Sequence, residues 1–206
     1  MKITVIGKGR VGRVLGPSFK LAGHEVVYGV RDPSDEKYQN DDGIPLLTTN
    51  EAAQSSDVVI LSVDWSTALV ALEQCGDLEG KVLIDCNNPL VFTENGLELT
   101  LGFSDSAAEQ IDARTNAKVV KALNQVGSPV MARARDFEQR PIQFVASDHD
   151  DAKELVSKLL VDIGFSPVDY GPLINARKLE PLAMIWIDQA FKHDMNPETA
   201  WFMNAV

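Results

Sequence analysis

Residues 3–12, Ile-Thr-Val-Ile-Gly-Lys-Gly-Arg-Val-Gly, place a short apolar run directly before a glycine-rich turn. The turn has the spacing G-x-G-x-x-G, and an apolar stretch with helical periodicity follows it. Strand, turn and helix in this order form the context in which the motif binds a dinucleotide pyrophosphate at a helix N-terminus. Gly7 permits the tight turn, Gly9 lets the backbone approach the pyrophosphate, and Gly12 lets helix and strand pack closely.

The second strand, residues 25–29, is followed by a basic residue where an acidic one is common. Enzymes that use NAD usually carry Asp or Glu about 20 residues after the motif, to bind the ribose 2′-OH. Here Arg31 stands at that point, and its guanidinium can hold a 2′-phosphate through two parallel hydrogen bonds. Ser34 and Lys37 lie within reach of the same loop, so we predict NADP(H). The alternative is that Arg31 is a solvated loop residue and that Asp32 binds an NAD ribose.

Composition excludes several classes of function. The chain has 206 residues and a net charge of −11, which argues against nucleic acid or an anionic membrane as a partner. No apolar run approaches the roughly 20 residues of a membrane span, so we predict no membrane insertion. Cys75 and Cys86 suggest no disulfide framework. The strand follows Met1 almost directly, so we expect no signal peptide and a cytoplasmic protein.

Strands and helices alternate along the chain, which predicts right-handed βαβ units. The fold class is therefore α/β: a Rossmann-type doubly wound, mostly parallel sheet, extended by C-terminal strands and helices. We expect two parts, a dinucleotide-binding domain over residues 1–140 and an extension over 141–206 that packs on the sheet. Further predicted strands cover residues 46–47, 58–63, 82–85, 118–123, 142–146 and 165–170.

Helix boundaries follow from capping residues and prolines. Thr49 or Asn50 is expected to cap a short helix, and Asp148 to cap a helix that Gly164 ends. Pro181 is expected to start a new helix that runs to Lys192. Residues 90–102 are expected to be irregular.

In an open α/β sheet the ligand lies outside the carboxyl ends of the strands. This rule selects four segments: residues 7–11, 62–65, 87–89 and 123–125. We expect residues 62–65 to lie along the ribose and nicotinamide, and the later two segments to offer amide groups to the nicotinamide carboxamide. Turn chemistry is the alternative for the asparagines, and core packing is the alternative for Trp65. The candidate residues of these later segments are Ser62, Val63, Asp64, Asn87, Asn88 and Asn124.

The sequence offers no evident catalytic side chain. His24, His149 and His193 neighbour no plausible nucleophile and have no zinc spacing, so we interpret all three as surface residues and expect no metal. Neither cysteine has a convincing base partner. A reductase without a general acid can still work where the hydride acceptor is itself a cofactor.

The chain resembles the NADPH-dependent reductases of coenzyme F-420 (8-hydroxy-5-deazaflavin, hereafter the deazaflavin). It is similar in fold to the cytosolic reductase domain of the six-transmembrane metalloreductases. The segments that carry the resemblance span nearly the whole chain, and they are residues 6–12, 23–27, 29–33, 84–89, 120–124, 169–173 and 176–180.

The resemblance implies direct hydride transfer between nicotinamide C4 and a flavin or deazaflavin ring, with FMN and FAD as other possible acceptors. It also implies residue roles. Gly9, Arg10 and Val11 would contact the pyrophosphate, and Arg31 with Ser34 the 2′-phosphate. Ser62 and Val63 would lie on the ribose side, and Asn124 would face the nicotinamide. The chain departs from archaeal members, which usually carry Thr at the position of Lys8 and Ser at that of Val30.

Other functions remain open at this point. Pyrroline-carboxylate reductases and 3-hydroxyacid dehydrogenases open in the same way but add a large helical domain, which residues 141–206 do not resemble. A non-catalytic NADPH sensor and a reductase of a small carbonyl or imine substrate are the alternatives. Apolar and aromatic residues near the C-terminus indicate either packing on the sheet or a homodimer interface. They are Leu179, Leu182, Ala183, Trp186, Ile187, Ala190, Phe191, Trp201, Phe202 and Met203.

Overall fold

The computed structural model describes residues 1–38, 42–193 and 195–204. Its strands are β1 (Lys2–Ile6), β2 (Glu25–Val30), β3 (Leu46–Thr48), β4 (Val58–Leu61), β5 (Val82–Asp85), β6 (Leu90–Thr93), β7 (Gly96–Leu99), β8 (Lys118–Lys121), β9 (Ile142–Val145) and β10 (Ser166–Asp169). Its helices are α1 (Gly12–Leu21), α2 (Thr49–Gln54), α3 (Trp65–Cys75), α4 (Ala107–Asp112), α5 (Ser128–Arg133), α6 (Asp150–Asp162) and α7 (Ala176–Lys192).

Six of the strands form one parallel sheet in the order β3-β2-β1-β4-β5-β8. This is the strand order of a doubly wound dinucleotide-binding fold, so the predicted fold class is confirmed. The order reverses between β1 and β4, whose last residues, Ile6 and Leu61, are paired in register. The crevice outside this pair is where such folds bind their ligands.

The strands are buried because helices cover both faces of the sheet. All four residues of β4 are buried, as expected for a parallel strand between two helical layers.

Glycines allow α1 to approach β2 closely. The hydroxyl of Tyr28 donates a hydrogen bond to the carbonyl of Gly12 at 3.2 Å. A Cβ at Gly16 would lie only 2.6 Å from Cζ of the same ring.

The C-terminal strands are linked to the six-stranded sheet by an isolated β-bridge. Strands β9 and β10 pair in parallel with each other and form a separate two-stranded sheet. One antiparallel bridge links this pair to β8, with reciprocal backbone hydrogen bonds of 2.9 and 3.1 Å between Lys121 and Ala146. Strands β9 and β10 therefore lie outside the six-stranded sheet, and an isolated bridge rather than a continuous ladder joins their backbone to β8.

Three predictions about local secondary structure are wrong, and a fourth concerns Pro181. Residues 90–99 are not irregular, because β6 and β7 form an antiparallel hairpin. Helix α2 is capped by Thr48, which makes a reciprocal capping box with Glu51, and not by Thr49 or Asn50. Asp148 does not cap α6, because its carboxylate accepts the N–H of Leu173 at 3.0 Å. The N-cap of α6 is His149.

Pro181 lies inside α7 instead of starting a helix. The proline removes the hydrogen bond to the carbonyl four residues earlier, which is a local loss. Burial of the apolar face of α7 offsets this loss, since Leu179, Ala183 and Trp186 on that face are all buried. Tertiary packing thus overrides the local signal.

Candidate functional site

The glycine-rich turn has the geometry of a phosphate cradle. Gly7 has φ of +94°, and its N–H donates to the carbonyl of Gly29 at 2.9 Å. A Cβ at Gly12 would overlap the carbonyl oxygen of Gly7, so the close helix–strand packing requires glycine there. At Gly9, by contrast, a Cβ would meet no described atom within 4 Å. No described side chain caps α1 at its N-cap residue, Val11. In the first turn, the N–H groups of Arg13 and Val14 donate to the carbonyls of Gly9 and Val11, both at 3.0 Å, so an anion would bind at the N–H groups that precede them.

The segment after β4 closes the other side of the crevice. The Ser62 hydroxyl donates to the carbonyl of Ile6 at 2.9 Å and so ties the ends of β1 and β4 together. The side chain of Val63 lies against the turn, with Cγ1 only 2.7 Å from a Cβ built on Gly7. Asp64 is the exposed N-cap residue of α3, and its carbonyl accepts the Thr67 N–H at 2.9 Å.

Trp65 begins α3 and is partly buried against the core cluster on its side of the sheet. This position agrees with the core-packing alternative for that residue.

The loop after β2 carries the residues predicted to bind a 2′-phosphate. Arg31 is exposed directly after the strand. The Asp32 carboxylate accepts the backbone N–H of Ser34 at 2.9 Å and its hydroxyl at 2.6 Å. These two hydrogen bonds hold the pKa of Asp32 below its usual range. Asp32 therefore orders the turn that presents Ser34 beside Arg31, while Lys37 pairs with Asp35 at 2.5 Å.

Lys8 and Arg10, the basic residues of the turn, differ in their surroundings. Arg10 is exposed, whereas Lys8 is 4% exposed. Nζ of Lys8 donates to the carbonyl of Tyr38 at 2.7 Å, lies 3.6 Å from Oδ2 of Asp42, and stands 4.6 Å from the centroid of the Tyr28 ring. Burial lowers the pKa of Lys8. The Lys8 ammonium is thus used to anchor the loop that follows β2.

Three asparagines meet where β5 and β8 end. Nδ2 of Asn124 donates to Oδ1 of Asn88 and to the carbonyl of Leu179, both at 3.0 Å. Its Oδ1 accepts Nε2 of Gln125 at 2.8 Å. Nδ2 of Asn87 donates to the Asp85 carboxylate at 2.8 Å, and its buried Oδ1 has no hydrogen-bond partner among the described residues. The structure brings these predicted residues together, and most of their amide groups bond within the protein.

Comparison with known proteins places the chain in a family. A family model described as "NADP oxidoreductase coenzyme F420-dependent" matches residues 2–89. The chain is 30% identical over 209 residues to the F420-dependent NADP reductase of Methanothermobacter thermautotrophicus, and the match covers 91% of this chain and 88% of that protein. The chain belongs to this family. It is an NADP-dependent oxidoreductase.

Two further comparisons agree with the family's fold. A crystal structure described as an F420-dependent NADP-reductase from Arthrobacter sp. FB24 superposes with a TM-score of 0.91 at 28% identity, over 100% of both chains. The metalloreductase STEAP3 of Rattus norvegicus is 29% identical over 89% of this chain. The chain spans only 36% of that metalloreductase.

Among the described residues, no helix is long and apolar enough to span a membrane.

This NADP oxidoreductase also contains a buried charge cluster that the sequence analysis missed. Nζ of Lys121, at the end of β8, lies 2.8 Å from Oδ2 of Asp85 and 2.8 Å from Oε1 of Glu180. It also donates to the carbonyl of Asn87 at 2.5 Å. Glu180 accepts the N–H groups of Ala107 and Ala108 at the start of α4 as well. The cluster therefore joins β5, β8, α4 and α7 directly beneath the asparagines.

The charges in this cluster shift one another's pKa values. Burial opposes the charge on Lys121, but the carboxylates of Asp85 and Glu180 outweigh it and raise the Lys121 pKa. Burial raises the pKa of Glu180. A charged residue at the end of an apolar strand, such as Asp85 or Lys121, was the available sequence signal, because a buried charge has to be paired.

His24 and the two cysteines are at least partly buried. Nε2 of His24 is 3.2 Å from Oδ2 of Asp162, and the His24 ring packs on Phe19, so this histidine is partly buried rather than a surface residue. Cys75 and Cys86 are buried free thiols. Burial raises the pKa of Cys75 to about 12. Within the described ranges, no three His, Cys, Asp or Glu side chains form a metal-binding group.

Proposed function

We propose that this oxidoreductase transfers a hydride directly between C4 of the NADP(H) nicotinamide and the ring of a deazaflavin. One observation carries the proposal: at the carboxyl edge of β5 and β8, the ionisable side chains bond to one another and not toward the crevice. Such an edge supplies orientation and electrostatics rather than a proton donor. This suits a reaction in which both partners are cofactors. The match to an F420-dependent reductase over 88% of its length supports the deazaflavin as acceptor.

The cofactor contacts are assigned by position in the crevice. The open space at Gly9 and the uncapped start of α1 fit a pyrophosphate, with Arg10 and Val11 beside it. The exposed Arg31, with Ser34 and Lys37 on the same loop, fits a 2′-phosphate. The remaining contacts would lie along the ribose and nicotinamide, and the residues are Ser62, Val63, Asp64, Asn87 and Asn124.

The two parts of the chain have different tasks in this proposal. Residues 1–140 hold the dinucleotide, and residues 141–206 support the nicotinamide end. The hydrogen bond from Asn124 to the carbonyl of Leu179 and the ion pair of Lys121 with Glu180 support this division, since both connect β8 to α7.

A homodimer remains a prediction, and fewer apolar residues are available for its interface than the sequence indicated. Leu179, Ala183 and Trp186 pack inside the protomer. The apolar residues left exposed near the C-terminus include Phe191 at 64%, Met203 at 60% and Phe202 at 40%. An interface at the C-terminus would use exposed residues such as these and not the buried face of α7.

Removal of the Arg31 guanidinium tests the cofactor assignment. A charge-assisted hydrogen-bond pair contributes about 1.5–3 kcal/mol, so Arg31→Ala should weaken NADPH binding roughly ten- to hundredfold and leave NADH binding unchanged. Arg114→Ala, which removes an exposed arginine just after α4 that bonds to the carbonyl of Gln110, is the matched control. Equal losses for NADPH and NADH in Arg31→Ala would refute the 2′-phosphate assignment.

A further inference from the structure

Three basic side chains of the β1–α1 unit donate to backbone carbonyls of the loop between β2 and β3. Nζ of Lys8 donates to Tyr38 O at 2.7 Å, and Nη2 of Arg13 donates to Lys37 O at 2.6 Å. Nζ of Lys20 donates to Asp42 O at 2.8 Å and to Gly43 O at 2.9 Å. Arg13 also donates from Nε to the carbonyl of Lys8 at 3.1 Å, so it bridges the glycine-rich turn and the loop.

Backbone carbonyls accept hydrogen bonds from basic side chains elsewhere in the chain as well, for example from Lys81 and Arg135. What distinguishes Arg13 and Lys20 is that both are exposed residues of one helix and both donate to carbonyls of one loop. That loop starts at Arg31 and includes Ser34, the residues assigned to the 2′-phosphate. The Arg13 contact, at Lys37, therefore fixes backbone close to the phosphate-binding side chains, and the Lys20 contacts hold the end of the same loop that precedes β3.

We propose that Arg13 and Lys20 are positioning residues for NADP selectivity, which hold the loop after β2 where Arg31 and Ser34 meet the 2′-phosphate. The proposal rests on the proposed function. Lys20 is the clearer case, because it lies in the last turn of α1, at the opposite end of the helix from the phosphate cradle. It acts on the cofactor only through the loop.

The selectivity for NADPH over NADH arises because only NADPH binding depends on an ordered loop. A loop that is not held in place must be ordered when the ligand binds, and this cost is subtracted from the affinity. NADPH uses the loop through its 2′-phosphate, whereas NADH has no group there. Loss of the contacts from Lys20 should therefore weaken NADPH and leave NADH unaffected.

Binding of NADPH and NADH to Lys20→Met and Arg13→Met, measured by titration, tests the proposal. We expect NADPH affinity to fall about three- to tenfold for each variant, which is the range of one or two exposed hydrogen bonds. NADH affinity should be unchanged in Lys20→Met. Arg13→Met also removes the hydrogen bond to the carbonyl of Lys8 in the glycine-rich turn, so it should lower NADH affinity as well, but by less than NADPH affinity. Lys158→Met is the matched control, because Lys158 is an exposed lysine whose ion pair with Glu154 lies on α6. It should change neither affinity.

A double-mutant cycle with Arg31→Ala separates positioning from long-range charge. If Lys20 acts through the loop, Lys20→Met should weaken NADPH binding clearly less once Arg31 is absent, because only Ser34 of the two assigned residues then remains to be positioned. An additive loss would mean that the Lys20 charge acts on the phosphate directly, and it would overturn the proposal. So would an unchanged NADPH affinity, or equal losses for NADPH and NADH. Failure of Arg31→Ala to alter selectivity would instead reject the underlying 2′-phosphate assignment.

Discussion

The ammonium of Lys121 lies 2.8 Å from the carboxylate of Asp85, and both side chains are fully buried. The two residues end neighbouring strands, so the pair fixes the carboxyl edge of the sheet where β5 and β8 meet. Glu180 on α7 completes the cluster from the C-terminal part. Two carboxylates and one ammonium thus connect the dinucleotide-binding strands to the helix that supports Asn124.

Lys121→Met should be strongly destabilising. The substitution leaves Asp85 and Glu180 buried without their cation, and breaking a buried pair in this way costs about 3–5 kcal/mol. The free energy of unfolding in urea measures the effect. Lys118→Met is the matched control on the same strand, because the partner of Lys118, Asp151, is an exposed carboxylate. That variant should lose less than about 1 kcal/mol. Similar decreases in the free energy of unfolding for the two variants would show that the buried cluster contributes no more to stability than an exposed ion pair.

Alanine substitutions in the glycine-rich turn should separate binding from folding. Gly9→Ala adds a methyl group in open space, so stability without cofactor should be unchanged while NADPH affinity falls by about tenfold or more. Gly12→Ala places the methyl group against the carbonyl of Gly7 and should destabilise the fold itself. Thermal unfolding without cofactor and an NADPH titration distinguish the two effects. An unchanged NADPH affinity in Gly9→Ala would contradict the proposed phosphate cradle.

Acid should weaken the connection between α4 and α7. Arg177 donates two hydrogen bonds to the Glu109 carboxylate, at 2.8 and 2.7 Å, and they hold the pKa of Glu109 below its usual range. A carboxyl group with a lowered folded pKa stabilises the fold above its unfolded pKa, and this contribution is lost as the pH falls through the folded pKa.

Arg177→Met should therefore lower the free energy of unfolding by about 1 kcal/mol at neutral pH. The deficit should shrink below about pH 4, where Glu109 becomes protonated in the unfolded chain. Urea unfolding at several pH values measures it, and Glu109→Gln should show the same trend. A deficit that stays constant into acid would contradict the pairing.

Much of the fold could be predicted because its signals are local. The glycine-rich turn predicts β1 and α1, and the apolar runs predict the buried strands. The missed features depend on contacts between distant residues. Pro181 lies within a helix because α7 buries an apolar face, and Asp148 bonds to Leu173 instead of capping its own helix.

The positions of the candidate site residues at the strand ends could be predicted in outline for the same reason. The rule that ligands bind beyond the strand ends selects Ser62, Asn87 and Asn124 from sequence alone. It cannot show that Lys121 meets Glu180, 59 residues away, nor that Lys20 meets the carbonyl of Gly43. Those contacts depend on how the helices pack, and no local pattern encodes them.

The most direct test of the central claim is the oxidation of NADPH by the purified protein, followed by the absorbance of the reduced nicotinamide. The deazaflavin, FMN, FAD and riboflavin are offered in parallel, and each reaction is repeated with NADH. The account predicts turnover with the deazaflavin and a preference for NADPH. NADPH binding without turnover on any of these acceptors would contradict direct hydride transfer to such a ring. It would favour a sensor or a small carbonyl or imine substrate instead.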